Sequence, residues 1–247
     1  MSPPVAVELT ESPEHPCNYL PGRMARTRAF YARRMPGDLY HQLMNASFRR
    51  SGLVVYQPVC SGCRQCLPIR VPIATFQASK SQRRCLRRNT DLAITIGKPI
   101  ATDEKYDLYH RYMTQWHQSQ ADHDREGFES FLYASPVDTL EFCYRDPAGV
   151  LIGVGICDLC SHSLSSVYFY HDPSARQRGL GVYSALKEIE FARTAGISYY
   201  YLGYWVDGCQ TMQYKADYRP CEILHPDGQW RPSIGNAGQT GQYFPIK

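Results

Sequence analysis

The stretch from residue 165 to residue 202 constrains the fold most, because strand, turn, helix and strand patterns follow one another without a break. Residues 165–170 alternate like a strand, and the sequence Arg-Gln-Arg-Gly-Leu-Gly at residues 176–181 predicts a turn. A helix is predicted for residues 179–195 and a buried strand for residues 197–202. Helix and strands in this order favour an α/β (α+β) fold with one mixed sheet.

Other elements are predicted on both sides of this stretch. Residues 139–144 and 150–158 flank an Asp-Pro-Ala-Gly turn and predict an antiparallel hairpin. The shorter patterns predict, in chain order, a helix from residue 37, strands at residues 53–56 and 69–71, a basic helix capped by Ser79 or Ser81 and ending near residue 89, a strand at residues 92–96, a helix capped by Thr102, and a short helix at residues 210–217. These elements extend the mixed sheet in both directions along the chain.

The charge is distributed unevenly between the two halves of the chain. Residues 1–100 hold 15 Lys and Arg against 5 Asp and Glu, whereas the remainder holds 12 against 18. A basic portion of this kind is typical of a surface that binds phosphates. We therefore predict a basic N-terminal module at residues 1–90, a larger C-terminal domain at residues 91–230 and a flexible tail at residues 231–247.

The ten cysteines bear on location and on metal binding. The first residues do not have the basic-then-apolar layout of a signal peptide, and no run is long enough to span a membrane, so a cytoplasmic protein without membrane contact is predicted. In a reducing compartment, Cys60, Cys63 and Cys66, with Cys17 as a fourth ligand, are candidates for an iron–sulfur cluster or zinc. The alternatives are a group of reduced, metal-free thiols or an apolar turn.

The 176–181 turn is a candidate anion site. Because it follows a strand and opens a helix, its backbone N–H groups and the helix dipole favour a negative group, with Arg178, Gly179 and Gly181 as the contacting residues. Ordinary loop glycines explain such a turn equally well. This half of the chain resembles the GCN5-related N-acetyltransferase superfamily, in which the matching turn holds a pyrophosphate, and the resemblance implies an acetyltransferase-like domain.

Several strings together resemble the arginyl-tRNA–protein transferase family, most closely its bacterial aspartate/glutamate leucyltransferase branch. The strings are Cys17-Asn-Tyr-Leu-Pro-Gly22, Ser47-Phe-Arg-Arg-Ser-Gly52, Cys60-x-x-Cys63-x-x-Cys66-Leu-Pro, Ser81-Gln-Arg-Arg84, Val167-Tyr-Phe-Tyr-His-Asp-Pro173, Tyr201-Leu-Gly-Tyr-Trp205 and Met212-Gln-Tyr-Lys215. The resemblance implies transfer of an amino acid, leucine in the bacterial branch, from aminoacyl-tRNA to an N-terminal Asp or Glu of a protein. The product is then marked for degradation through the N-degron pathway.

That chemistry requires no catalytic nucleophile, because the ester to tRNA is already activated. An N-terminal amine with a pKa of about 7.7–8 loses its proton at a cost of about 1 kcal/mol or less. Alignment and oxyanion stabilisation by hydroxyls and cations are the remaining tasks. The candidate catalytic residues are Tyr168, Tyr204, Tyr214 and Lys215, with Tyr170 as a further hydroxyl and Asp158 to orient the amine. The alternative for each tyrosine is simple packing.

Cations are needed for both substrates. An acidic acceptor residue is best held by arginine, whose planar fork matches a carboxylate. The candidates are Arg178 and Lys215 in the C-terminal domain and Arg23, Arg26, Arg28, Arg49 and Arg50 in the N-terminal module. The tRNA backbone is assigned to the five cations in nine residues Lys80, Arg83, Arg84, Arg87 and Arg88. A solvated helix face is the alternative for this basic block.

Three other functions remain open from the sequence. The first is the same transfer with arginyl-tRNA as donor, since the leucine preference rests on the resemblance to the bacterial branch. An acetyl-CoA-dependent N-acetyltransferase would use the 176–181 turn but leaves the basic block unexplained. A metal-stapled tRNA-binding protein without catalysis would leave the tyrosine-rich second half unexplained.

Overall fold

The computed structural model describes residues 7–119 and 123–233. Its N-terminal elements are β1 (Thr10–Glu11), β2 (His15–Pro16), β3 (Met24–Ala25), β4 (Thr27–Tyr31), α1 (Gly37–Asn45), β5 (Arg49–Ser51), β6 (Val54–Pro58), β7 (Leu67–Pro72), α2 (Lys80–Arg88) and β8 (Ala93–Gly97). The elements after residue 100 are α3 (Asp103–Arg111), α4 (Arg125–Phe128), β9 (Thr139–Arg145), β10 (Leu151–Leu159), β11 (Ser163–His171), α5 (Leu180–Thr194), β12 (Tyr199–Trp205), α6 (Gln210–Gln213), β13 (Glu222–Leu224) and β14 (Trp230–Pro232). Helices α3 and α4 each continue into a π-helical turn, Tyr112–Trp116 and Glu129–Tyr133.

The strands form a large mixed sheet and a small sheet. The large sheet has the order β14-β13-β7-β12-β11-β10-β9-β8, and its neighbours are antiparallel except for β11 and β12. The small sheet has the order β1-β4-β6-β5, and β2 and β3 form a separate hairpin. The mixed sheet predicted from the sequence is thus present.

Helices cover both faces of the large sheet. Alternate residues of β9 separate the two layers, because Phe142 and Tyr144 pack with α5 while Cys143 packs with α3 and α4. On the α5 side the core includes Leu186 and Ile189. A third core joins the small sheet to the large one and is built around α1, with Tyr40, Met44, Phe48, Val55 and Tyr201 among its members.

The predicted boundary at residue 90 does not separate the two sheets. Strand β7, which the prediction places in the N-terminal module, pairs with both β12 and β13 in the large sheet. Its burial explains this position, since Ile69 and Val71 are fully buried. The small sheet and the β2–β3 hairpin are built only from strands that end by Pro58.

Local signals account for several helix starts. Ser79, one of the two predicted caps, accepts a hydrogen bond from the Gln82 amide, and the Gln82 side chain bonds back to the Ser79 amide, so α2 begins with a capping box. Thr102 caps α3 through the Lys105 amide. Of the predicted tail, Trp230–Pro232 pairs with β13, and residues 234–247 lie outside the described residues. No helix in the described ranges has the length and apolar character needed to cross a bilayer.

Candidate active-site cleft

The parallel strands β11 and β12 pair over three residues and then separate. The last pair is Ser165 with Tyr201. Just beyond it each strand contains a bulge. In β11 the extra residue is Val167, because Cys157 and Ile156 of β10 pair with Ser166 and Tyr168 on either side of it. The register of β12 against β7 shifts between Tyr201 and Tyr204 in the same way. Bulges bend a strand and end its pairing, so these two open a gap in the middle of the sheet.

This gap is the base of a cleft of about 800 Å³, which we call the central cleft. Strands β11 and β12, the start of α5 and the N-terminal module all contribute to its wall. The predicted site residues that line it are Arg49, Arg50, Tyr168, Gly179, Gly181, Tyr204, Tyr214 and Lys215. The fold therefore brings together residues that are up to 166 positions apart in the chain, between Arg49 and Lys215.

Two cations lie against the bulge of β12. Arg49 donates from Nη2 to the carbonyl of Gly203 at 3.2 Å, and Lys215 donates from Nζ to the carbonyl of Tyr204 at 2.8 Å. Gly203 has a φ of +80°, and a Cβ at this position would lie 3.6 Å from the Lys215 Nζ. The glycine turns two consecutive carbonyls towards the two cations, as a bulge position allows.

Both cations are buried without a carboxylate partner among the described residues. Burial, with the Arg49 charge as the next contribution, lowers the pKa of Lys215 to about 8. The Arg49 guanidinium also lies 5.2 Å from the Tyr204 ring centroid, while its Nε has no hydrogen-bond acceptor within the described chain. The cleft thus contains a lysine that can lose its proton near neutral pH and an arginine with an unused donor.

The predicted tyrosines differ in what their hydroxyls contact. Tyr168 donates to the Met113 thioether at 3.5 Å, which is a weak acceptor, so its proton is easily redirected to a substrate. Tyr204 donates to the Ser47 carbonyl at 2.6 Å, and Tyr170 is fully buried with its hydroxyl 3.0 Å from that of Tyr133. Tyr214 is half-exposed at the cleft. Of the hydroxyls with a described acceptor, that of Tyr168 has the weakest one, and Tyr168 lines the cleft.

Asp158 and Arg50 contact each other instead of a substrate. Both Asp158 carboxylate oxygens accept from Arg50, each at 2.7 Å, and both side chains are completely buried. Thr139 donates to the same carboxylate, and Arg50 also donates to the carbonyls of Gly52 and Ala134. The predicted roles in amine orientation and carboxylate binding therefore do not fit these two residues, which instead join the small sheet to the large one.

The predicted anion turn divides between two surfaces. Gly179, with a φ of +68°, and Gly181 line the central cleft. Arg178 lines a separate depression, where it makes a bidentate ion pair with Asp91 at 2.9 Å and holds the pKa of that carboxyl below its usual value. Arg178 therefore does not contribute its charge to the cleft.

The five predicted tRNA-binding cations project from one exposed face of α2. Gln82, Cys85 and Asn89 form the opposite, buried face. The Asn89 side chain donates to the Arg178 carbonyl at 2.9 Å, and Arg88 donates to the Gln177 carbonyl. Helix α2 is thus attached to the turn that forms one wall of the cleft. None of its five cations makes an ion pair with a described carboxylate.

The four predicted metal ligands are neighbours, but they do not form a ready metal site. Burial raises the pKa of Cys66 to about 12, with further contributions from Cys60, Cys17 and Cys63. The Arg26 amide donates to the Cys60 sulfur at 3.5 Å, a contact that also suits a ligand sulfur. Within the parts of the chain that the structure describes, no three His, Cys, Asp or Glu side chains are grouped to hold a metal. Metal binding here stays a prediction.

The remaining arginine candidates lie outside the cleft wall. Arg26 pairs with Glu11 at 3.4 Å and Glu14 at 3.8 Å. Arg28 donates to the Gln57 side chain at 2.7 Å, and Arg23 donates to the Cys63 sulfur at 3.6 Å. These contacts all lie within the N-terminal module.

Three cleft residues were not singled out from the sequence as site residues. Trp116 and Arg176 lie at the cleft, with the guanidinium 5.6 Å from the indole centroid. Glu188 lies in the cleft wall, where burial raises its pKa and the Ser184 hydroxyl donates to it at 2.6 Å. Gly155 of β10 leaves space for this carboxylate, because a Cβ at that position would lie 2.7 Å from the Glu188 Oε1.

Comparison with known proteins decides the family. The family model described as arginine-tRNA-protein transferase, N terminus, matches residues 15–84, and the C-terminus model of the same family matches residues 104–225. The chain belongs to this transferase family. A protein of Saccharophagus degradans named aspartate/glutamate leucyltransferase is 41% identical over 91% of this chain and 96% of its own length. Proteins of the same name from Stenotrophomonas maltophilia, 41% identical, and Acinetobacter baumannii, 42% identical, cover 87% and 89% of this chain and 89% and 82% of their own lengths.

The fold comparison agrees with this family assignment. A crystal structure of a DUF2156 domain from Agrobacterium fabrum superposes with a TM-score of 0.51 at 13% identity, over 83% of this chain and 65% of that chain. The predicted acetyltransferase-like mixed sheet is confirmed. The two transferase family models leave residues 85–103 between them, which brackets the predicted boundary at residue 90 even though β7 lies in the large sheet.

Proposed function

We propose that this transferase moves leucine from leucyl-tRNA to the N-terminal Asp or Glu of acceptor proteins and so marks them for degradation. The names of the relatives support the donor, the acceptor and the reaction. The observation that carries the proposal is the pair of buried cations at the cleft, Arg49 and Lys215, neither of which has a carboxylate partner among the described residues. A buried, unmatched positive charge is costly unless a ligand supplies the missing anion.

Arg49 is the residue that we assign to the acidic side chain of the acceptor. Its guanidinium is held by the carbonyls of Met44, Phe48 and Gly203, while its Nε has no acceptor in the described chain. A carboxylate in the cleft would neutralise its charge. Lys215, whose pKa is about 8, is then the group that exchanges protons.

The reaction needs one bond to form and one to break. The neutral N-terminal amine attacks the ester carbonyl carbon of leucyl-tRNA, and the C–N bond forms as the carbonyl oxygen becomes an oxyanion. Neutral Lys215 accepts the proton that the amine loses, and its ammonium then gives a proton to the ribose oxygen as the C–O bond breaks. The Tyr168 hydroxyl donates to the oxyanion in place of its weak contact with Met113.

The donor tRNA lies along α2 in this proposal. The exposed cations of α2 contact its phosphates, and the attachment of α2 to the 176–181 turn directs the 3′ end into the cleft. A metal or cluster at Cys17, Cys60, Cys63 and Cys66 would be structural, and no step passes through it. Metal analysis of protein purified without oxygen tests its presence.

One assay tests the function. Purified protein is incubated with leucyl-tRNA or arginyl-tRNA and with peptides that begin with Asp, Glu, Asn or Ala, and the peptide masses are measured. We expect a gain of one leucine residue on the Asp and Glu peptides only. A gain of arginine would change the donor, and no gain with either donor would remove the enzymatic proposal.

A variant tests the assignment of Arg49. Replacing Arg49 with Gln keeps two hydrogen-bonding groups but removes the positive charge, so kcat/KM for the Asp peptide should fall by about 100-fold, since losing a buried charged pair costs roughly 2–5 kcal/mol. The uncharged Asn peptide is not a substrate, so its binding is measured by competition with the Asp peptide, and this binding should weaken much less. An equal loss for both peptides would show that Arg49 does not select the acidic side chain.

A further inference from the structure

Two large aromatic side chains are exposed at the central cleft. Trp116 is 39% exposed and Tyr214 is 48% exposed, and both contribute to the cleft wall. The other exposed large apolar residues of the described chain lie outside that wall. Burying an indole in the core is favourable, so an exposed one at a cleft indicates a surface that receives a ligand.

Trp116 is held rigidly by its neighbours. It ends the π-helical turn Tyr112–Trp116, a rare geometry that is frequent at functional sites. Its ring stacks on Tyr112 at 6.3 Å between centroids and 12° between planes, and the His171 ring packs against it at 4.8 Å. These contacts fix the indole plane while leaving part of its surface exposed, which is what a stacking platform for a flat ligand requires.

A cation accompanies this platform. The Arg176 guanidinium lies 5.6 Å from the Trp116 ring centroid, and Arg176 makes no ion pair with a described carboxylate. The next residue, Gln177, accepts a hydrogen bond from Arg88 of α2. The basic face of α2 therefore leads through Gln177 and Arg176 towards the indole, and Asp91, the acidic side chain beside this path, is paired with Arg178.

We propose that Trp116 stacks on the 3′-terminal adenine of the donor tRNA and that Arg176 contacts the phosphate before it. This inference rests on the proposed function, because that function places the aminoacyl ester near Lys215 and Tyr168 in the same cleft. The ester is carried by the ribose of the terminal adenosine, so the adenine on the same ribose is the base nearest to the ester. Stacking holds the base, and the ester is thereby positioned for the amine.

The test compares two uncharged tRNAs that differ only in the terminal adenosine. Affinities for tRNA ending in CCA and for the same tRNA ending in CC are measured by fluorescence anisotropy at one salt concentration. Stacking of one base contributes roughly tenfold to hundredfold in affinity, so the intact protein should bind the CCA form at least about tenfold more tightly. The CC form also lacks the phosphate that Arg176 contacts, so Trp116→Ala should lower this ratio by about tenfold and leave only the part due to that phosphate, whereas Trp116→Phe should keep most of the ratio.

The control is Tyr31→Ala, which removes an exposed aromatic ring of β4 that does not line the cleft, and it should leave the ratio unchanged. Because each variant is compared with itself on two RNAs, partial unfolding does not imitate the effect. An unchanged ratio in Trp116→Ala would overturn the inference.

The result of this binding test is independent of the result of the leucine-transfer assay. If the intact protein transfers leucine but Trp116→Ala keeps the full ratio, the function stands and the stacking proposal is wrong. If the intact protein transfers no amino acid but shows a ratio that depends on Trp116, adenine stacking is retained and the proposed reaction is wrong.

Discussion

At the scale of single residues, the backbone decides which side chains are available for chemistry. Gly203 adopts a left-handed conformation in the middle of β12, and the resulting bulge presents the carbonyls of Gly203 and Tyr204 to Arg49 and Lys215. These neutral acceptors hold the two cations without cancelling their charges. The mutual repulsion of the two, added to burial, keeps the Lys215 pKa close to the pH at which the reaction must run.

The pH dependence of transfer should show the ionisation of Lys215. Its pKa of about 8 lies close to that of a peptide amine, and both groups must lose a proton before attack. Between about pH 6 and pH 7, log kcat/KM of the intact protein should therefore rise with a slope of about two. Lys215→Arg, which stays charged, should be slower and have a slope of about one, as measured in single-turnover assays.

The matched control for this experiment is Lys187→Arg, on the outer side of α5 and paired with Glu190. It should keep the steeper slope. If Lys215→Arg also kept a slope of about two, a different group would be the proton acceptor.

Asp158 has a structural role through its ion pair with Arg50, so its substitution should lower the stability of the protein. Asp158→Asn leaves the Arg50 guanidinium buried without its anion, which should cost about 3–5 kcal/mol of the free energy of unfolding. Urea denaturation measures this loss. If Asp158→Asn had normal stability but no leucine transfer, Asp158 would instead be assigned the predicted role of orienting the amine.

At the scale of elements, α2 combines two functions on opposite faces. Cys85 and Asn89 fasten it to the 176–181 turn, while its cations face solvent without carboxylate partners among the described residues. Such a helix can bind a polyanion on its exposed face and hold it in a fixed position relative to the cleft wall. The sequence predicted this helix because a serine N-cap is a local signal.

Replacing the α2 arginines should weaken tRNA binding in a salt-dependent way. With Arg83, Arg84, Arg87 and Arg88 changed to Ala, the slope of log affinity against log salt should decrease by roughly 3 to 4, since each phosphate contact releases about one counterion. The same four positions changed to Lys form the control and should keep the slope. Equal slopes for the Ala variant and the intact protein would assign tRNA binding to another surface.

The elements also show where prediction from sequence ends. The hairpin β9–β10 and helix α5 follow from periodicity, whereas the three-residue pairing of β11 with β12 depends on bulges that have no strong local pattern. Gly203 inside a strand pattern was a usable sign of a bulge. No comparable sign marked Val167, where β-branched packing suits a regular strand equally well.

At the scale of the whole molecule, the two family models and the two sheets divide the chain differently. Pairing between β7 and β12 is long-range, and it depends on which edge of β12 is unoccupied, which no local pattern records. Charge and cysteine content change near residue 90, so composition placed the boundary there. Long-range pairing also explains why the sequence pointed to Arg50 and Asp158 as site residues. The two residues are 108 positions apart, so their ion pair could be seen only in the structure.

The position of β7 leads to a prediction about fragments. A fragment of residues 91–230 lacks β7. In this fragment β12 would keep only its three-residue pairing with β11, and β13 would lose its pairing with β7. Asp158 would also be buried without Arg50. We expect this fragment to show no cooperative thermal unfolding by circular dichroism. A fragment of residues 67–233 keeps all eight strands of the large sheet and should unfold cooperatively at a lower temperature than the full chain. Cooperative unfolding of the 91–230 fragment at the temperature of the full chain would show that the large sheet does not need β7.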